Sequence, residues 1–174
     1  MNSIRIDEHI TLSEVTINDI NSFIEHLNNK EIYNNTLTIP YPYTKEDGEW
    51  FINHVTDLKN KYNQTVNWAI RNSEEKLIGG IGFHEIIGHK AEIGYWLAEP
   101  YWGKSIMKGA INKVCEIGFN NFGLSRITAN VFEKNIRSAK VLEKCGFELE
   151  AICLKNHYKK DGKIFNGKLY AKTI

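Results

Sequence analysis

Apolar positions along the chain follow two different periods, and the change between them divides it. Residues 10–15 alternate well enough for a short strand. Thr16 with Asp19 three residues on resembles a capping arrangement, and Ile17, Ile20, Phe23, Ile24 and Leu27 continue as a helical stripe. The segment 36–44 contains two of the three prolines, so it is predicted to be extended or turning. Thr44 opens a second predicted helix with Trp50, Phe51, Val55 and Leu58 on one face. Gly48 weakens its first turns by ~1 kcal/mol.

After Asn63 the period becomes two. Segments 66–71, 76–87 and 91–97 read as consecutive strands joined by polar turns. A long helix is predicted over 105–122, with Ile106, Ala110, Ile111, Val114, Ile117 and Gly118 facing inward. A strand over 125–132 follows, then a short helix over 136–144 that stops at Cys145-Gly146. Strands over 147–154 and 164–171, around an Asp161-Gly162 turn, close the chain. This order predicts an α+β fold with a mixed sheet.

Composition narrows the function classes. The 174 residues are 42% apolar and 25% charged, the balance of a folded globular protein, with no linker-like tract, so residues 1–174 are read as one domain. Twenty-two Lys and Arg against 21 Asp and Glu leave a formal charge of +1. That supplies no field for gripping nucleic acid or an anionic membrane, so any anion site must be local. The three cysteines, Cys115, Cys145 and Cys153, have no Cys-x-x-Cys spacing and lie in apolar stretches, and each is read as a buried free thiol. With no secretion signal and no apolar run long enough to span a bilayer, the expected location is the cytoplasm.

The informative stretch is 91–110, a strand, a tight connection with Pro100 and Gly103, and a helix start. Backbone N–H groups of such a turn and of the first helical turn lack partners and carry partial positive charge, so a diphosphate can bind there without a basic patch. Gly103 allows close approach, and Lys104 adds one mobile charge. Gly103-Lys104-Ser105 also matches the end of a nucleotide-binding P-loop, but Ala98 stands where its first glycine belongs and Pro100 interrupts the wrap.

Three segments resemble signature elements of the Gcn5-related N-acetyltransferase superfamily, in the branch that acetylates ribosomal-protein N-termini and small amines. Glu92-Ile93-Gly94-Tyr95-Trp96-Leu97 is similar to its central strand, and Tyr101-Trp102-Gly103-Lys104-Ser105-Ile106-Met107 to its acetyl-CoA loop. The run 135–147, from Asn135 through Ser138 to Gly146-Phe147, resembles its second signature. Ser105 stands where the superfamily places glycine. A positive φ there costs ~1–2 kcal/mol.

The resemblance implies a mostly antiparallel sheet of about six or seven strands, splayed at the fourth core strand after Leu97 and flanked by about four helices. It implies acetyl-CoA as co-substrate and a primary amine as acceptor, with no metal and no nucleic acid or membrane partner; a homodimer stays open. Tyr95, Trp96, Leu97, Gly103, Lys104, Ser105, Ile106, Met107 and Asn135 are the implied cofactor-binding residues, Asn135 also being a natural helix cap. The implied catalytic residues are His157 as base, Glu92 as a second candidate base, and Ser138 toward the leaving thiol. Many relatives place a tyrosine seven residues after the Asn; here that position is Leu142. A non-catalytic acyl-CoA-binding module on the same fold is the alternative. His84-Glu85 with His89 superficially suggests a zinc helix, but the five-residue spacing and β-like run argue against it.

Overall fold

In the computed structural model, residues 3–174 are described, the side chains of Ile152 and Cys153 excepted. The elements run β1 (Ile4–Arg5), β2 (Thr11–Glu14), α1 (Ile20–Leu27), α2 (Lys30–Asn35), α3 (Lys45–Tyr62), β3 (Asn67–Arg71), β4 (Leu77–Ile87) and β5 (Lys90–Leu97). They continue as α4 (Ile106–Asn121), β6 (Arg126–Phe132), α5 (Ile136–Lys144), β7 (Glu148–Lys160) and β8 (Lys163–Thr173). The strands form one sheet in the order β1-β2-β3-β4-β5-β6-β8-β7. Every neighbouring pair is antiparallel except β5 with β6, which is parallel. This is the predicted α+β class.

Helix boundaries follow local chemistry. Thr44 and Asp47 make a reciprocal capping box at the start of α3, and Asn63 ends it in the left-handed region. Asn135 caps α5 through Ser138 N, and Gly146 at φ 80° follows its end. Two cores lie on opposite faces of the sheet. Ala110, Ile111 and Val114 of α4 and Leu142 of α5 pack against Ile81, Phe83, Ile93 and Ile127 on one face. On the other, Phe23 and Leu27 of α1 and Ile52 of α3 pack against Ala69 and Leu77. At Gly118, a Cβ would lie 2.8 Å from Phe83 Cζ, so only glycine lets α4 sit this close to the sheet.

Several expectations are corrected. Helix α2 and the two-residue β1 carried no periodic signal, so the described residues form eight strands and five α-helices. The prediction that Trp50 packs inward fails: it is 65% exposed and stacks on His54, while Ile52 and Val55 face the core. Segment 36–44 is non-helical as predicted, with a cis Tyr41–Pro42 bond. Cys115 and Cys145 are buried and free; Cys153 lies outside the described side chains. The splay begins earlier than predicted, because the β5–β6 ladder ends at Glu92 and Thr128, five residues before Leu97.

One buried ion pair fastens the helical layer to the sheet. Arg71 on β3 grips Asp19 through both terminal nitrogens, at 2.7 and 2.9 Å, and also donates to Ser13 Oγ and to the carbonyls of Glu14 and Glu75. Removing one partner leaves an uncompensated buried charge, so Asp19→Ala should lower the unfolding free energy by ~3–5 kcal/mol. Urea unfolding followed by circular dichroism checks this; an unchanged midpoint would show the pair to be dispensable.

Candidate active site

Beyond Glu92, β5 has a neighbour on one side only. Ala98 N donates to Ile78 O, so even-numbered residues here turn their backbone groups toward β4. By strand alternation Tyr95 and Leu97 turn theirs into the gap left by β6. Trp102, in the turn after β5, reaches back and donates its indole N–H to Leu97 O at 2.7 Å. Arg137 on α5 lies over the Trp102 ring, 4.3 Å from its centroid, so the two sides of the gap meet at its mouth.

The turn leading to α4 contains two left-handed residues. Gly103 has φ 76°, and Ser105, the residue before the helix, has φ 60° and ψ 4°. Gly103, Lys104 and Ser105 are exposed, whereas the Ile106 and Met107 side chains are buried in the core. The expected contribution of Ile106 and Met107 can therefore come only from their backbone N–H groups, which as first-turn donors have no acceptor within the helix. The positive φ at Ser105 means the serine is held in a strained conformation. Lys104 Nζ sits 5.4 Å from the centre of the Tyr101 ring.

On the face that carries α4 and α5, Tyr95 and Ser138 share a hydrogen bond of 2.8 Å from strand to helix. Burial pushes the Tyr95 phenol far above its usual value, so it stays protonated. Asn135 Oδ1 accepts from Ser138 N at 3.1 Å while its Nδ2 donates to Asn35 O, so the residue is occupied as a cap and as a tie to α2.

The opposite face is a polar floor made possible by glycines. A Cβ on Gly94 would lie 1.8 Å from His84 Nε2, one on Gly82 2.2 Å from Asn67 Oδ1, and one on Gly167 2.6 Å from the Tyr158 ring. Three side chains thus lie flat on the strands where any larger residue would lift them. Among them stands Glu92, whose Oε2 accepts from Asn130 Nδ2 at 3.0 Å. His84 keeps an exposed edge, but desolvation of its ring against the strands lowers its pKa from the usual 6.5, while the Glu92 carboxylate pulls it up. Burial, with Glu92 as a second cause, pushes Tyr158 up to about 12, and its hydroxyl is buried without a partner. Trp96 extends this face toward Phe23.

The structure therefore brings Glu92, Tyr95, Trp96, Leu97, Ser138 and the 103–107 turn together around the gap. His157 is not among them. It is exposed, and its ring meets the Tyr158 ring edge-on. Tyr158 covers the floor, and strand neighbours alternate faces, which turns His157 away. Sequence reasoning missed Asn67, Asn130 and Tyr158 and dismissed His84 with the zinc motif. Among the described residues no group of three or more His, Cys, Asp or Glu is placed to hold a metal, and no helix is long and apolar enough to cross a membrane. A cleft of about 670 Å³ lies elsewhere, between the N-terminal segment and Arg71, whose guanidinium is already committed to Asp19.

Comparison with known proteins bears on this geometry. Residues 9–148 match the family described as acetyltransferase (GNAT) domain. A Bacillus subtilis protein named uncharacterized N-acetyltransferase YoaA is 36% identical over 109 residues, 61% of each chain, so the match spans less than two thirds of that relative. The solved ribosomal L7/L12 alpha-N-protein acetyltransferase RimL, in complex with coenzyme A, superposes with a TM-score of 0.89 at 18% identity, over 99% of this chain and 98% of that one. The microcin C7 self-immunity acetyltransferase MccE, in complex with acetyl-CoA and AMP, gives 0.84 at 24% identity, over 97% and 94%. At those identities the likeness concerns the fold.

Two outcomes follow from the site's local physics. Glycine accepts φ 60° freely, so Ser105→Gly should leave the melting temperature unchanged or raised, and Ser105→Val should lower it; the reverse order in thermal unfolding would remove the strain. For His84, a pKa depressed in the folded state means the unfolded chain binds protons first. Its contribution is present above about pH 6.5 and is lost as pH falls through that value toward the folded pKa. His84→Gln should remove that part of the acid-side loss in denaturant titrations between pH 7 and pH 5, and an unchanged pH slope contradicts it.

Proposed function

The chain belongs to the GNAT acetyltransferase family, and from that premise we propose that it moves an acetyl group from acetyl-CoA to a primary amine by direct attack within the β5–β6 gap. The observation that carries this reading is the unpaired β5 edge at Tyr95 and Leu97 beside the N-terminus of α4. Pantetheine has amides that can pair with such an edge as an added strand. The pyrophosphate takes the N–H groups of residues 103–107.

With Trp102 holding Leu97 O, the Leu97 N–H is the group left to face the thioester oxygen. The amine nitrogen attacks the carbonyl carbon, and the oxygen gains charge that this N–H stabilises. The C–S bond then breaks, sulfur leaves with the electron pair, and the proton lost by nitrogen passes to Glu92. Asn130 holds the Glu92 carboxylate, and desolvation at His84 favours its neutral imidazole on the floor. The acceptor approaches from the glycine-floored face. A peptide α-amine, with a pKa near 7.7–8.0, asks less of the base than a lysine near 10.4. That favours a protein N-terminus or a weakly basic small amine.

Thiol release from acetyl-CoA with a panel of peptides and amines tests the reading; CoA binding without any thiol release would indicate a binding module instead. At pH 7, Glu92→Gln should lower kcat by ~10²–10⁴, with the deficit shrinking as the pH approaches the amine's own pKa. His157→Ala should leave the pH–rate profile unchanged. A profile altered by His157→Ala and not by Glu92→Gln would return the base role to the histidine.

A further inference from the structure

A serine hydroxyl is an ambiguous group, able to turn and to donate or accept. At Ser138 the surroundings narrow that ambiguity. The main chain is held by the bond from its N–H to Asn135 Oδ1, and Oγ sits 2.8 Å from the Tyr95 hydroxyl. Tyr95 is half-buried on the α4 side of the sheet, where desolvation disfavours a phenolate. The phenol therefore keeps its proton, and Ser138 Oγ is the partner within reach among the described residues, in a bond either hydroxyl can donate. With Oγ accepting, the serine's own hydrogen is released to point elsewhere. Ser138 stands in the first turn of α5, which directly follows β6, so it borders the gap where that strand has parted from β5.

We infer that Tyr95 is a positioning residue: by donating to Ser138 across the gap it aims the serine O–H at the CoA sulfur, which leaves as a hydrogen-bonded thiolate. This rests on the acetyl-transfer reading above. The sulfur keeps the electron pair of the broken C–S bond, Ser138 keeps its proton, and the proton from the amine stays on Glu92. No transfer through Tyr95 is required, and burial opposes one. A thiol of pKa near 8.5 is a fair leaving group once its anion has a donor, and the positive end of α5 adds to the stabilisation. Leu142, wholly buried, offers no competing hydroxyl on the helix.

Coenzyme A itself is the probe, because the bound thiol reports the donor without any acceptor amine. Its ionisation is followed by thiolate ultraviolet absorbance on the full chain, with the desulfo-CoA complex as blank and CoA affinity measured by calorimetry. The bound thiol should be more acidic than free CoA, with roughly tenfold more thiolate at a pH below its pKa, as one charge-assisted hydrogen bond supplies. Tyr95→Phe should abolish that gain at saturating CoA, whatever its effect on affinity. Ser138→Ala should abolish it equally, and the double variant should add nothing further.

A bound thiol no more acidic than free CoA, in the unaltered protein, overturns the inference. So does a gain that survives Ser138→Ala, whether or not Tyr95→Phe folds. Loss of the gain in Ser138→Ala but not in Tyr95→Phe would leave the serine acting alone. Failure of CoA to bind the parent protein would instead overturn the acetyl-transfer reading on which the inference rests.

Discussion

The parting of two parallel strands is the constraint on which the rest of the molecule depends. Lys90, Ala91 and Glu92 pair with Arg126, Ile127 and Thr128, and then the ladder stops. Sheets ordinarily do not leave central backbone groups unpaired, because a buried orphan costs about as much as a lost hydrogen bond. Here the far ends are held apart. Strand β5 remains bound to β4 through Leu97, while β6 remains bound to β8 through Phe132. The chain covers part of the exposed edge itself: the Trp102 indole satisfies Leu97 O, and Tyr95 bridges to Ser138. What is left is a strip of backbone donors and acceptors of one peptide's reach, next to a helix N-terminus.

From that parting the two faces of the site acquire different characters. One side is assembled from α4 and α5, and it offers N–H groups, hydroxyls and helix dipoles, all suited to developing negative charge. The other is assembled from glycine-spaced strands, and it offers Glu92, Asn130, His84 and Tyr158, suited to an amine that must lose a proton. The acetyl transfer proposed above, whose leaving group becomes an anion and whose nucleophile begins as a cation, needs both, on opposite sides of one carbonyl carbon. Alternation along β5 delivers them: Tyr95 faces one layer, and Glu92, Gly94 and Trp96 face the other.

Much of this was legible in the chain because it is written in local patterns. Caps at Thr44 and Asn135, the period-two run from 67 to 97 and the turn at 103–107 depend on residues close in sequence. Helix α2 was not legible, because six residues held by the Asn29 cap carry too little periodicity to stand out. Trp50 was misread because helical spacing placed it near the apolar stripe, whereas Ile52 and Val55 fill the contact and leave the indole outside. The polar floor is a cross-strand property. Gly82 and Gly94 face each other only once register is known, and their absent side chains are what make room for His84 and Asn67. A pair of glycines on adjoining strands was the available signal, and it points to large side chains lying across them. The placement of His157 belongs with these cross-strand properties, since the face it occupies depends on the irregular pairing between Leu154 and Tyr158.

Amide hydrogen exchange with and without coenzyme A tests the central claim most directly, because it reads the backbone groups on which the account relies. Protection should appear at the amides of Tyr95 and Leu97 and along residues 103–107, with little change at the cleft beside Arg71. Protection confined to that N-terminal cleft, with the β5 edge exchanging as freely as before, would contradict the account.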